Sequence, residues 1–249
     1  MILVIGTSHD DILYFESKLR NKVYEKFMDS GVYFTGSIVG QSICVAYGLN
    51  TNYLSSVFTT FLLNKFNAPV VINVGMARAF TNDFKIGDVM VARDVCLGDV
   101  NLVNCTRVKL AQLPTMPQML ISDIYLVNLL NSIGGTLFIN NVKSGTLISS
   151  SNYYTSIDEL INLKITDGKE VLGKDRFIAL DNEAGGIAVA CYAFSVPFVS
   201  IKIIQYDIGK ENYSKENFIK ALKSYPDIGK LVTSLIAEIS SNVTVTVRT

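Results

Sequence analysis

The sequence predicts an α/β protein of one domain, and three observations carry that reading. Short apolar runs alternate with amphipathic stretches along the whole chain, the pattern of strands interleaved with helices. The 249 residues suit one such domain with a substantial core. No linker, repeat or low-complexity segment divides them, so residues 1–249 read as one unit.

Ile2 to Ile5 is an apolar run closed by Gly6 and Thr7, a buried strand. Asp10 to Asn21 has apolar residues at 12, 13, 15 and 19 and suits a helix capped by Ser8 or Asp10. Residues 32–38 and 42–47 alternate on either side of Gly40, as a hairpin does. Thr51 to Phe66 has a helical period and stops at Asn67 and Pro69, and Val70 to Val74 is a central strand. Gly87-Asp88 turns into a strand that ends near Cys96. Residues 100–120 read as loop, Ile121 to Ile133 as helix and 136–148 as strand. A short helix at 157–163 is followed by loop, then by a strand from Phe177 to Leu180. Ala184 to Phe194 is a helix of small residues, able to pack closely on a sheet. Pro197 to Ile204 is a strand, and Ser214 to Ser241 is helical with a break at Pro226.

Composition excludes several functions. Twenty-two basic and 22 acidic residues cancel, and no stretch is strongly basic, so no cationic face is available for nucleic acid. The four cysteines, Cys44, Cys96, Cys105 and Cys191, lack CxxC spacing and read as small buried residues in a reducing compartment, the cytoplasm. His9 is the one histidine, which rules out a histidine-dependent triad or a histidine-rich metal site. The apolar start is too short for a signal peptide, and no run approaches the roughly 20 residues that span a bilayer. A mean hydropathy of +0.33 is high for a monomer and points to a buried subunit interface.

Three acids stand at three separate strand ends, where α/β sheets place ligands: Asp11, Glu183 and Asp207. Each has a plainer reading. Glu183 opens a helix and could satisfy its free amides, and Asp11 belongs to a His9-Asp10-Asp11 cluster that could simply cap one. Asp207 follows its strand beside Tyr206 and could simply be an acid in a turn. Gly75-Met76-Ala77-Arg78 follows the central strand and could admit a ligand near the backbone, but it has no phosphate-loop spacing.

Taken together, these segments resemble the methylthioadenosine/S-adenosylhomocysteine nucleosidases of the nucleoside phosphorylase superfamily. Ile5-Gly-Thr-Ser-His-Asp-Asp11 is similar to that family's first strand and Gly-Ala-Met-Glu-Glu-Glu turn. Val71-Ile-Asn-Val-Gly-Met-Ala77 resembles Ile-Ile-Asn-Thr-Gly-Ser-Ala, and Lys85-Ile-Gly-Asp-Val-Met-Val91 resembles Lys-Val-Gly-Asp-Ile-Val-Val. Gln112-Leu-Pro-Thr-Met-Pro117, Leu180-Asp-Asn-Glu-Ala184 and Val196-Pro-Phe-Val199 follow in the family's order.

The resemblance implies a three-layer sandwich with a central mixed, twisted sheet flanked by helices, and hydrolysis of the N-glycosidic bond of adenine thionucleosides without metal or cofactor. It makes Asp11 the base that activates water, Glu183 the ligand of the ribose hydroxyls, and Asp207, after a one-residue shift, the acid at the leaving purine. Tyr153 would stack on the purine beside Tyr154. Gly75, Met76, Ala77, Arg78, Asn182 and Phe218 would complete the nucleoside site. It also implies a homodimer whose Pro114 loop reaches the partner's pocket. The chain departs from the family pattern at Asp11, a methylene shorter than glutamate, at Arg78-Ala79 for Gly-Gly, at Asp181 for glutamate, and at Asn182 for methionine. Phosphorolysis is disfavoured by Asn73, where phosphorylases of this fold carry arginine, and by the lack of arginine in residues 2–19. Arg78 argues for it. A futalosine-type hydrolase and a non-catalytic nucleoside-binding homologue complete the alternatives.

Overall fold

A computed structural model describes residues 1–48, 50–80, 84–105, 107–137, 142–154, 178–208 and 214–246. Ten strands and six helices are described: β1 (Ile2–Ile5), α1 (His9–Lys18), β2 (Arg20–Phe27), β3 (Gly31–Ile38), β4 (Gln41–Tyr47), α2 (Asn52–Phe66), β5 (Val71–Ala79), β6 (Val89–Leu97), β7 (Met119–Ile121), α3 (Ile124–Thr136), β8 (Val142–Ser149), β9 (Ile178–Asp181), α4 (Ala184–Ala193), β10 (Phe198–Asp207), α5 (Lys215–Leu222) and α6 (Tyr225–Thr246).

All ten strands join one mixed sheet. β5 lies parallel to both β1 and β10 and antiparallel to β9. β10 also pairs with β6, β6 with β8, and β8 with β9, so β5, β10, β6, β8 and β9 close into a ring. From that ring β1, β4, β3 and β2 extend as an open wing.

Two apolar clusters fill the two faces. One joins Phe58 and Leu62 of α2 to Ile187 and Cys191 of α4; the other joins Ile12 and Phe15 of α1 to Leu130 of α3 and Leu231 and Leu235 of α6. Helices therefore cover both sides of the sheet, the expected three layers.

Local chemistry explains the boundaries. Thr51 caps α2 by accepting from Leu54 N at 3.3 Å, and Asn67 ends it in the left-handed region at φ 44°. Asp123 caps α3, which therefore starts three residues later than the hydrophobic pattern suggests. Pro226 is the second residue of α6, where a missing amide costs nothing, so the expected break separates two helices.

Three expectations are corrected. The first helix ends at Lys18, and Arg20–Phe27 is an additional strand. It was hidden because half its residues are charged and most are exposed, as suits a sheet edge. Met119–Ile121, placed in a loop and at a helix start, pairs with β6. Cys105 is exposed, whereas Cys44, Cys96 and Cys191 are buried as read. The short helix expected at 157–163 lies outside the described residues. Among the described residues no helix is long and apolar enough to cross a membrane.

The small-residue pattern of α4 has a steric cause. A Cβ on Gly186 would stand 1.9 Å from the Asn52 backbone oxygen at the start of α2, and one on Gly185 would stand 2.8 Å from Asn52 Oδ1. Gly135 of α3, by contrast, faces open space. Gly186→Ala should therefore lower stability by at least about 1–3 kcal/mol, while Gly135→Ala should raise it by about 0.4–1 kcal/mol; urea denaturation of the two variants checks the contrast.

Candidate active site

Four chain segments converge on a cavity of about 420 Å³. The β1–α1 turn brings Thr7, Ser8 and Asp11; β5 brings Met76, Ala77 and Arg78; the β9–α4 turn brings Asp181, Asn182 and Glu183; β10 brings Gln205. Tyr153, Phe218 of α5 and Tyr225 of α6 complete much of the wall.

The helix-start reading of Glu183 can be decided by following the amides of α4. Ala184 N donates to Asp181 Oδ2 at 3.1 Å, Gly185 N to Ser149 Oγ at 2.8 Å and Gly186 N to Asn52 Oδ1 at 3.0 Å. Other side chains thus meet the needs of the helix, and the Glu183 carboxylate makes no cap bond to it. It points instead to Lys202, whose ammonium donates to Glu183 Oε1 and lies 2.8 Å from Asp181 Oδ2. Lys202 is fully buried, and Glu183 and Asp181 nearly so.

Two buried carboxylates share one ammonium. Burial pushes the Glu183 carboxyl up to about 7, and the charge of Asp181 adds to this against the opposing pull of Lys202. Burial alone would lower the Lys202 pKa, but the two carboxylates outweigh it and hold the amine charged. Among the described residues Asp181 Oδ1 has no hydrogen-bond partner. The cluster thus sets two carboxyl groups against one ammonium beside the cavity.

Gly75 allows this meeting. A Cβ there would lie 3.3 Å from Glu183 Oε1, 3.4 Å from Lys202 Nζ and 3.7 Å from Asp11 Oδ2. Gly75 therefore sits beneath the charged groups; it does not itself line the cavity. Asp11 does cap its turn, since Oδ2 accepts from Thr7 N at 2.8 Å and Ser8 N at 2.7 Å. Its other oxygen, Oδ1, accepts from the Tyr225 hydroxyl on the cavity wall. Asp11 thus caps its turn with one carboxylate oxygen and turns the other to the cavity wall.

Arg78 is buried, with Nη1 donating to the Tyr154 carbonyl at 2.8 Å and Nη2 to Asn182 Oδ1 at 3.1 Å. Its guanidinium lies 4.1 Å from the centre of the Tyr153 ring. It braces the wall. Tyr154 is buried behind that wall and contributes its carbonyl to Arg78, while Tyr153 lines the cavity.

The end of β10 differs from expectation. A register shift between Ile204 and Tyr206 changes which residue faces inward, and Gln205 lines the cavity. Tyr206 is turned to a 2.8 Å hydroxyl contact with Tyr153, and burial raises its pKa first, that contact second. Asp207 is outside the cavity lining. Pro114 is also outside it, and the neighbouring Leu113 packs on the chain's own core.

Sequence reading passed over Lys202, Gln205 and Tyr225. Lys202 had a signal: a single lysine within the apolar run Phe198 to Ile204 cannot be buried without acidic partners. No group of residues suited to hold a metal is found among the described residues.

The Glu183 proton makes stability pH-dependent. The folded chain holds it more tightly than the unfolded chain, so this group's stabilising contribution is lost as pH rises from about 4.5 to about 7. Glu183→Gln cannot titrate. Its stability relative to wild type should therefore improve across that window, as read by urea denaturation at pH 5 and pH 8; an unchanged difference would contradict the raised carboxyl.

Comparison with known proteins agrees with this fold. The model of the phosphorylase superfamily matches residues 1–237. A methylthioadenosine/S-adenosylhomocysteine nucleosidase of Staphylococcus haemolyticus is 27% identical, the match covering 95% of this chain and 99% of that one. Among solved structures, the nucleosidase of Neisseria meningitidis in complex with methylthio-immucillin-A superposes with a TM-score of 0.82 at 22% identity, over 94% of this chain and 97% of that one. Futalosine hydrolase of Helicobacter pylori superposes with a TM-score of 0.80, also at 22% identity, over 95% and 97%. At that identity the two structures speak for the fold, while the family match spans nearly the whole chain: the protein belongs to the phosphorylase superfamily.

Proposed function

We propose that this protein hydrolyses the N-glycosidic bond of adenine thionucleosides, methylthioadenosine and S-adenosylhomocysteine, releasing adenine. The observation that carries the choice of water over phosphate is the charge of the cavity. Asp10, Asp11, Asp181 and Glu183 line it, and Arg78, the cation of its described lining, is occupied by Tyr154 and Asn182. Phosphate needs charge-assisted donors, and here it would meet carboxylates. The same carboxylates favour a sugar that gains positive charge as its bond to the base breaks.

In this reading Asp11 accepts a proton from water as the water oxygen bonds to the anomeric carbon, and the C–N electron pair leaves with the base. Glu183 holds the ribose hydroxyls, and Tyr153 offers its ring face to the purine. Gln205, the polar side chain that β10 presents to the cavity, is assigned a hydrogen bond to the leaving base; an amide is no acid, so the base takes its proton from solvent, and Asp207 is given no step. This chemistry asks for no metal or organic cofactor. The thionucleoside is taken from the related nucleosidases, which are named for it. We place the enzyme in the cytoplasm, in methionine salvage.

A homodimer is part of the proposal. Tyr53, Leu54 and Val57 are exposed on α2, directly after Thr51 of the cavity wall, and form an apolar strip suited to a partner. Sedimentation at low micromolar concentration should show a dimer that Val57→Asp weakens; a 27.4 kDa species for the unaltered chain would contradict it.

Purified protein in phosphate-free buffer should release adenine from methylthioadenosine together with free methylthioribose. A sugar phosphate as product would favour phosphorolysis, and cleavage of futalosine in preference would favour the reading suggested by the Helicobacter structure. In the same assay Gln205→Ala should lose adenine release, and Asp207→Asn should retain it. The reverse result would return the leaving-group acid to Asp207.

A further inference from the structure

Tyr225 is the first residue of α6, at the far end of the chain from Asp11, yet its hydroxyl donates to Asp11 Oδ1 inside the cavity. The side chain is buried and its ring packs in the cluster that contains Ile12 and Ile228. Its backbone is fixed by the turn before it, where Ser224 O accepts from Asp227 N at 3.1 Å and Ile228 N at 3.3 Å. Burial raises the phenol pKa, and the charges of Asp11, Glu183 and Asp10 raise it further, so the group stays a neutral donor.

Counting acceptors shows what this bond does. A carboxylate offers about four lone-pair positions. Thr7 N and Ser8 N occupy Oδ2, and Tyr225 occupies one position on Oδ1. One position remains, on Oδ1. Without Tyr225, the bonds to Oδ2 alone would leave Oδ1 without a fixed partner.

We propose that Tyr225 is a positioning residue of this active site, which holds Asp11 so that the remaining acceptor position on Oδ1 meets the nucleophilic water. The inference rests on the hydrolytic reading above. Tyr225 itself transfers no proton in the reaction; it sets where the water's proton is received. A misplacement of about an ångström costs roughly a hundredfold in rate, so a residue of this kind acts on kcat and leaves substrate affinity largely alone.

The test uses the full chain with Tyr225→Phe, Asp11→Asn and the double variant. Tyr225→Phe should lower kcat by roughly 10- to 100-fold with KM within about threefold. Added to Asp11→Asn it should cost less than about twofold more, because the two residues act as one unit. Added methanol should also compete better with water in Tyr225→Phe, giving a larger share of methyl riboside, a change that a purely structural role would not produce. Should Tyr225→Phe fail to fold, Tyr225→Gln retains a donor and should keep more activity than Tyr225→Leu. Multiplicative losses in the double variant, an unchanged methanol share, or a kcat within twofold of wild type would overturn the positioning role. A wild-type chain that cleaves no nucleoside would overturn the hydrolytic reading instead.

Discussion

A single ammonium buried between two carboxylates organises this molecule. Lys202 stands on β10, inside a ring of five strands, where an unpaired charge would be prohibitively costly. Asp181 and Glu183 supply its partners from the β9–α4 turn, so the pairing ties β10 to the segment that starts α4. Removing one partner of such a group costs about 3–5 kcal/mol, because the remaining charge cannot reach water. The pairing also explains why a small residue suits position 75. A side chain there would crowd the cluster, and its Cβ alone would stand within 3.4 Å of both Glu183 and Lys202.

Division of labour around that cluster frees chemistry from architecture. Helix α4 begins in a fully buried place, and its first amides need acceptors. Asp181, Ser149 and Asn52 provide them, and Ser55 Oγ donates to the Glu183 carbonyl at 2.8 Å. Because α4 is so small-sided, α2 comes close enough for Asn52 to reach its end. The Glu183 carboxylate is left to Lys202 and the cavity. At Asp11 the arrangement is more economical: one oxygen holds the turn and the other turns to Tyr225 on the cavity wall.

Much of this was legible in the sequence because it is local. The apolar runs gave the strands, Thr51 and Asn67 bounded α2, and two of the three acids at strand ends, Asp11 and Glu183, line the cavity. What escaped was either disguised or nonlocal. β2 is a charged edge strand without a clean alternation. The ring closes through pairings between β5 and β9 and between β10 and β6, which no single segment reveals. Tyr225 meets Asp11 across 214 positions. At the end of β10 a one-residue irregularity decides whether Gln205, Tyr206 or Asp207 faces inward, and side-chain alternation cannot be counted through a bulge. Lys202 was visible and passed over, since a lysine within a strand was not asked for its partners.

The central claim is that the Lys202 cluster and Asp11 hold the sugar of a nucleoside whose base lies toward Tyr153 and Gln205. A crystal structure with a C-nucleoside analogue of methylthioadenosine, in which a carbon–carbon bond replaces the cleavable one, tests it most directly. The account predicts ribose hydroxyls within hydrogen-bond distance of the Glu183 carboxylate, the purine against the Tyr153 ring, and a water between Asp11 Oδ1 and the anomeric carbon. An analogue bound elsewhere, or with its base against Glu183 and its sugar toward Tyr153, would contradict it.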